Sequence, residues 1–273
     1  MSYKLGFLKL RFSVDEGSRK EKILKKIIGI EDSIKRFLAK LLIGKRQKHH
    51  VIIDNQQFYF RDIILSRSYV GPVKEIELDT YGFKKINFKK GDIVIDIGAN
   101  IGVISIYLAK KYPFLKIYSF EPFKMSYNSF LENIKINDIP KGVIYPFNKA
   151  VTKDGRDIVL KTDDFLNSVS LSIDFKKDKL DPKDKNTIPS VTLDNIVETA
   201  LIENKQDHIK LLKMDCELSE YEILKNTKTE NLTKISYLSA EFHEKAGFEN
   251  PDELETYVKT YIPNTTIVKC KID

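Results

Sequence analysis

The stretch DIVIDIGANIG, residues 92–102, decides how this chain folds. Asp92–Ile97 is dominated by Ile and Val and reads as a short strand. Gly98 and Gly102 then permit a tight turn. The residues after them, Gly102–Tyr112, carry a helical pattern that Pro113 closes. Working outward, the same unit repeats. Lys116–Phe120 is a second strand, Phe123–Asn137 a second helix and Val143–Phe147 a third strand. Thr192–Ile202 is a helix with Thr192 or Asp194 near its cap. His208–Met214 is a strand, Ser219–Lys225 a helix, Ile235–Phe242 a strand, Pro251–Thr260 a helix and Thr265–Lys269 a strand. Strands alternating with helices predict an α/β fold with a doubly wound, mostly parallel sheet. Residues 156–192 break the rhythm and read as a β insertion between the third and fourth strands. Within it Ser168, Ser170 and Ser172 alternate with Val169, Leu171 and Ile173, the period of a strand with one hydroxyl face.

Upstream of the repeat the chain changes character. The net charge of +7 is unevenly spread: residues 1–48 hold 14 Lys/Arg against 5 Asp/Glu, leaving −2 for the rest. Residues 20–48 read as an amphipathic helix or two, with Ile23, Ile27, Ile30, Ile34, Phe37 and Leu41 three or four residues apart. Such a basic helix can lie on an anionic membrane, but packing of its stripe on the main domain is the commoner use. Residues 51–61 read as a hairpin turning at Asp54-Asn55, and 66–90 carry turn signals at Gly71-Pro72 and Tyr81-Gly82. Three regions are therefore expected: a basic helical extension over 1–48, a hairpin and cap segment over 49–90, and the main domain over 91–273.

A chain of 273 residues with 42% hydrophobic residues can bury a large core, which excludes wholesale disorder. No apolar run approaches the ~20 residues of a membrane span. Lys4 and Lys9 interrupt the apolar N-terminus, so no signal-peptide core is read there. Cys216 and Cys270 cannot make a disulfide framework and suit a reducing compartment. The expected location is cytoplasmic, with peripheral membrane contact through residues 20–48 as an option.

The loop Asp96–Gly102 should face a ligand outside the carboxyl ends of the strands. A P-loop would need Gly-Lys-Ser/Thr, which is missing, and a dinucleotide fingerprint would need glycine where Asn100 stands. A carboxylate at Asp96 suits the ammonium and sulfonium charges of S-adenosylmethionine (SAM) better than a pyrophosphate. Glu121 ends the second strand, 19 residues past Gly102, where an acid can accept hydrogen bonds from ribose hydroxyls.

On these residues the chain resembles the FkbM family of SAM-dependent methyltransferases. The carrying blocks are VIDIGANIGVISIYLAK (94–110), YSFEPF (118–123), LENIKIND (131–138), VTLDNIV (191–197) and IKLLKMDCELSEYEIL (209–224). The resemblance covers about 90–270. It implies a Rossmann-like class I methyltransferase fold, SAM as methyl donor, and O-methylation of a hydroxyl on a glycan, glycolipid or related metabolite. It also implies that Asp96, Gly98, Asn100, Gly102 and Glu121 form the cofactor site. The family's third block reads roughly Lys-x-Asp-x-Glu-Gly-x-Glu, matched by Lys213, Asp215, Glu217 and Glu220. Leu218 stands where the family has glycine, a position expected to let backbone approach a ligand.

Methyl transfer to oxygen needs an aligned hydroxyl and a group to take its proton. The candidates follow the fourth and fifth strands. Asp215 and Glu217 would shape the acceptor site, and Glu217 or His243 would act as base. Glu220 fits the first turn of the next helix equally well. Asp215, Glu217 and Glu241 are also a possible Mg²⁺ set, although nothing in their spacing demands a metal. Two other readings compete. An RNA methyltransferase would use the basic extension, but residues 20–48 offer only Phe37 for stacking. The fourth strand also ends Met-Asp-Cys-Glu, not in the Asn/Asp-Pro-Pro-Tyr/Phe of base-nitrogen chemistry. A SAM-binding protein without turnover is the third reading, and it rests on Leu218. The oligomeric state is not legible.

Overall fold

The computed structural model describes residues 2–5, 10–13, 46–63, 67–159, 187–244 and 250–271. The chain divides into two units, Met1–Lys45 and Arg46–Asp273. In the first, β1 (Ser2–Leu5) pairs antiparallel with β2 (Leu10–Ser13). The expected helical extension thus opens with strands. Residues 20–45, the body of the expected amphipathic helix, lie outside the described residues.

The second unit begins with a hairpin, β3 (Arg46–Ile53) and β4 (Gln56–Ile63). Residues 46–48, read as the end of the extension, are therefore strand, because Arg46 pairs with Ile63. The turn falls at Asp54-Asn55 as expected, with φ of 48° and 62°. Positive φ at both central positions matches the right-handed twist of a hairpin. Next come α1 (Val70–Glu77), then β5 (Ile93–Ile97), α2 (Val103–Lys111), β6 (Lys116–Phe120), α3 (Lys124–Ile136) and β7 (Ile144–Phe147). Helix α1 corrects the sequence reading. Gly71-Pro72 looked like a turn, but Pro72 sits in a helix's first turn, where its missing N–H is not needed.

After β7 comes the two-residue strand β8 (Ala150–Val151), and of the insertion three two-residue strands are described: β9 (Ile158–Val159), β10 (Thr187–Ile188) and β11 (Ser190–Val191). The alternating stretch 168–173 lies outside the described residues. The chain continues through α4 (Leu193–Asn204), β12 (Ile209–Met214), α5 (Glu220–Asn226), α6 (Thr229–Leu232), β13 (Ile235–Glu244), α7 (Pro251–Lys259) and β14 (Asn264–Lys271). Thr192 caps α4 by accepting the Asn195 N–H at 3.1 Å.

Six strands form the central sheet in the order β14-β13-β12-β5-β6-β7, and every pairing is parallel. The order reverses between β5 and β12, the switch point where such sheets bind ligands. Strand β5 shows how the core divides. Ile93, Ile95 and Ile97 face one cluster with Leu193, Ile196 and Val197, and Val94 faces another with Ile106, Phe58 and Phe60. Each such aliphatic side chain contributes roughly 1.5–3 kcal/mol by burial. Helix α2 is buried on nearly every face, because the hairpin packs over it. Tyr107 donates to Asp54 at 2.8 Å, and Asn133 of α3 accepts from the Arg61 N–H at 2.6 Å.

Candidate active site

A cavity of about 340 Å³ opens at the carboxyl ends of β5, β6 and β12. One wall is the loop after β5. Gly98 (φ 78°) and Asn100 (φ 50°) both take left-handed conformations. Asparagine tolerates that region, so Asn100 replaces a glycine without breaking the turn. A Cβ on Gly98 would lie 1.7 Å from the Asp215 carbonyl oxygen, so only glycine fits between the two loops. Gly102 is not part of the cavity wall. A Cβ there would lie 1.9 Å from the Phe130 ring, so its glycine serves the packing of α2 against α3.

Glu121 holds this loop from the side. Its Oε2 accepts the Asn100 N–H and its Oε1 the Phe123 N–H, both at 2.8 Å. Burial pushes its pKa up to about 7, against the pull of those two N–H groups. Asp96 differs from expectation. It is fully buried and does not line the cavity. Ser105 donates to its Oδ2 at 2.5 Å, and the Lys213 ammonium lies 3.5 Å from its Oδ1. Lys213 also donates to the Gly98 carbonyl at 3.3 Å. Burial disfavours the ammonium, but Asp96, Asp215 and Glu241 outweigh that and hold it charged. Asp96 therefore anchors the loop from beneath.

The opposite wall is acidic. Asp215, Glu217, Glu241 and Glu75 line the cavity. His243, buried behind them, does not reach it. Its Nε2 lies 4.0 Å from Asp215 and 3.8 Å from both Glu217 and Glu241. Its Nδ1 lies 3.0 Å from Glu220, which also accepts the Cys216 N–H at 3.0 Å. Glu220 is thus in the first turn of α5, with its carboxylate turned back onto this cluster. Burial lowers the His243 pKa, but the hydrogen bond to Glu220 and the charges of Glu220, Glu217 and Asp215 prevail and raise it to about 9. Burial raises Glu217 to about 7; the His243 charge opposes that and Asp215 adds to it. Burial also raises Glu75 to about 7, helped by Glu241 and Asp215. Cys216 is pushed well above the usual thiol range by burial, so it is not a ready nucleophile.

The residue in the family's glycine position explains itself. Glu217 and Leu218 are consecutive left-handed residues, with φ of 53° and 76°. Glycine is favoured there by the backbone conformation itself, and leucine bears about 1–2 kcal/mol of strain. Two site residues escaped the sequence reading. Glu75 comes from α1, and Tyr81 donates to Glu241 Oε1 at 3.1 Å. Both lie more than 100 residues from their partners, so no local spacing could have signalled them.

A parallel sheet with a glycine loop at its switch point, opening on an acidic cavity, defines a ligand-binding α/β fold. Residues 96–261 match the model of the methyltransferase FkbM domain. The chain is similar to methyltransferase sdnD of Sordaria araneosa, 27% identical over 211 residues, 64% of this chain and 74% of that protein. It is also similar to methyltransferase 1 of Beauveria bassiana (strain ARSEF 2860), 30% identical over 66 residues, 24% of this chain and 26% of that protein. Among solved structures it resembles a SAM-dependent methyltransferase from Agrobacterium tumefaciens at 9% identity and a TM-score of 0.44, over 82% of this chain and 61% of that one. The chain belongs to the FkbM methyltransferase family, whose methyl donor is SAM. No described helix is long and apolar enough to cross a membrane.

Proposed function

We propose that the protein transfers a methyl group from SAM to a hydroxyl of a small acceptor, in the class of a glycan, glycolipid or related metabolite. The observation that carries this reading is Glu217. Its carboxyl group lines the same cavity as the Gly98–Asn100 loop and Glu121, with a pKa near 7. A general base works best when its pKa lies near the working pH.

The cavity suits the methyl donor. Asn100 Oδ1 and Ser219 Oγ are buried on its wall with no hydrogen-bond partner among the described residues. Gly98, Asn100 and Glu121 would hold the donor, with Asp96 and Gly102 fixing the loop that carries them. SAM, when bound, supplies an electrophilic methyl on a sulfonium. Glu217 takes the acceptor hydroxyl's proton as the new C–O bond forms. Asp215 shapes the site beside it. His243 stands behind the wall, so it positions the carboxylates and takes no proton from the acceptor.

The test is to incubate the protein with labelled SAM and fractionated lipid, glycan and RNA extracts. Label in the glycan or lipid fraction supports the reading. Label in RNA overturns it, as does SAM binding with no transfer to any fraction. With an acceptor in hand, Glu217→Gln should keep SAM affinity and slow transfer by ~10²–10⁴-fold.

A further inference from the structure

We infer that Asp215, Glu241 and His243 form a binding site for one divalent transition-metal ion, of the Mn²⁺ class, at the acidic end of the cavity. Their ligand atoms all lie within 4.8 Å of one another. His243 Nε2 is 4.0 Å from Asp215 Oδ1 and 3.8 Å from Glu241 Oε2. These gaps are too long for hydrogen bonds. An ion equidistant from the three atoms would lie about 2.2–2.5 Å from each, within the range of divalent ions bound by carboxylate and imidazole.

The orientation of each side chain is the independent observation. His243 is only 5% exposed, and its Nε2 makes no hydrogen bond among the described residues while pointing at three carboxylates. Its Nδ1 is engaged by Glu220, which leaves Nε2 as the free corner of the ring. The other two are held in the same way at their far atoms. Tyr81 engages Glu241 Oε1, and Oε2, with the Cys270 thiol donating to it at 3.6 Å, faces His243. Lys213 lies 3.7 Å from Asp215 Oδ2 and leaves Oδ1 facing His243. An outer partner on the far atom of every ligand is how metal sites fix ligand orientation and imidazole tautomer. Two carboxylates and one imidazole with open positions suit Fe²⁺ or Mn²⁺ better than Mg²⁺. The strands explain the convergence. Glu241 and His243 are two apart in β13 and share a face, and Asp215 follows the end of the neighbouring strand β12.

Asp215 and Glu241 line the cavity, so the ion's open positions face the acceptor. Its purpose, to hold the acceptor hydroxyl and lower its pKa beside Glu217, rests on the function proposed above. The site itself does not.

The experiment is a calorimetric titration of Mn²⁺ into the chelator-treated full chain, with neither SAM nor acceptor present, checked by the Mn²⁺ paramagnetic resonance signal. The expected result is one ion per chain. Glu241→Gln, which keeps the side chain's shape, should weaken binding at least ~10-fold. Glu220→Gln, which alters the partner on the far side of the imidazole and keeps an acceptor for the Cys216 N–H, should weaken it on the order of 10–100-fold. Circular dichroism should show both variants folded. No Mn²⁺ binding up to about 1 mM, the limit of weak physiological sites, overturns the inference. So does unchanged affinity in folded Glu241→Gln. A parallel SAM titration on the same sample separates this outcome from failure of the methyltransferase reading.

Discussion

At one end of the cavity, Gly98, Asn100 and Glu121 form the wall through a short loop and the strand beside it. At the other end, Asp215, Glu217, Glu241 and His243 converge because β12 and β13 lie next to each other. The first end is a backbone device. Its three left-handed residues, Gly98, Asn100 and Gly102, lie within five positions of the chain. The second is a side-chain device, in which Tyr81 orients Glu241 and Lys213 lies beside Asp215. On the function proposed above, binding and chemistry are built separately here, and Gly98 against the Asp215 carbonyl is the tightest of the contacts that join them.

That contact gives the largest expected effect. Gly98→Ala forces a Cβ to within 1.7 Å of backbone at a φ of 78°. Overpacking and left-handed strain together should cost about 3–4 kcal/mol, read as a lowered melting temperature. A loss under about 1 kcal/mol would show that the two loops move apart freely, and the comparison would lose its hinge.

Asp96→Ala comes next. It removes the closest carboxylate from the buried Lys213 ammonium but leaves Asp215 at 3.7 Å. Breaking a fully buried pair costs 3–5 kcal/mol, so about 2–3 kcal/mol is expected with one partner left, measured by denaturant unfolding. Asp96→Asn should cost less, because Ser105 can still be hydrogen-bonded. Equal losses in the two variants would mean that shape, not charge, anchors the loop.

The acidic end should reveal itself through pH. The folded-state pKa of Glu217, about 7, is raised above its ordinary value of 4.5. Its protonated form is therefore favoured by folding, and that contribution is present in acid and lost as pH rises through 7. Glu217→Gln removes the burden of a buried charge. It should stabilise the fold at pH 8 relative to pH 4 by about 1 kcal/mol, after allowance for partial exposure. Methyl transfer by the unaltered protein should rise through pH 7 as this carboxyl ionises. A rate flat from pH 5 to 9 would assign the proton to another group.

The smallest effect concerns Leu218. Leu218→Gly relieves left-handed strain at φ 76° but frees the unfolded chain, so a net gain of about 0.5–1 kcal/mol is expected in the melting curve. A net loss would mean that packing of the leucine side chain outweighs the strain.

The same contrast governs what the sequence made legible. The doubly wound, mostly parallel sheet follows from Ile/Val strands alternating with helices, and the Asp96–Gly102 loop with Glu121 could be read because its parts are close in sequence. The role of Asp96 could not, since its burial depends on Lys213, 117 residues away. His243 read as a candidate base, because nothing local shows that β13 extends to Glu244 and turns the ring inward onto Glu220. Helix α1 was hidden behind Gly71-Pro72, a pair whose usual meaning is a turn. Tertiary packing overrode that local preference and brought Glu75 to the cavity.

The separation of binding from chemistry is tested most directly by titrating SAM calorimetrically into the unaltered protein, Glu121→Ala and Glu217→Gln. The unaltered protein should bind one SAM. Glu121→Ala should bind about 1–3 kcal/mol more weakly, the usual loss when a charged hydrogen-bond partner goes. Glu217→Gln should bind as the unaltered protein does. Tight NAD binding without SAM binding would contradict the account, as would a Glu217→Gln variant that loses as much SAM affinity as Glu121→Ala.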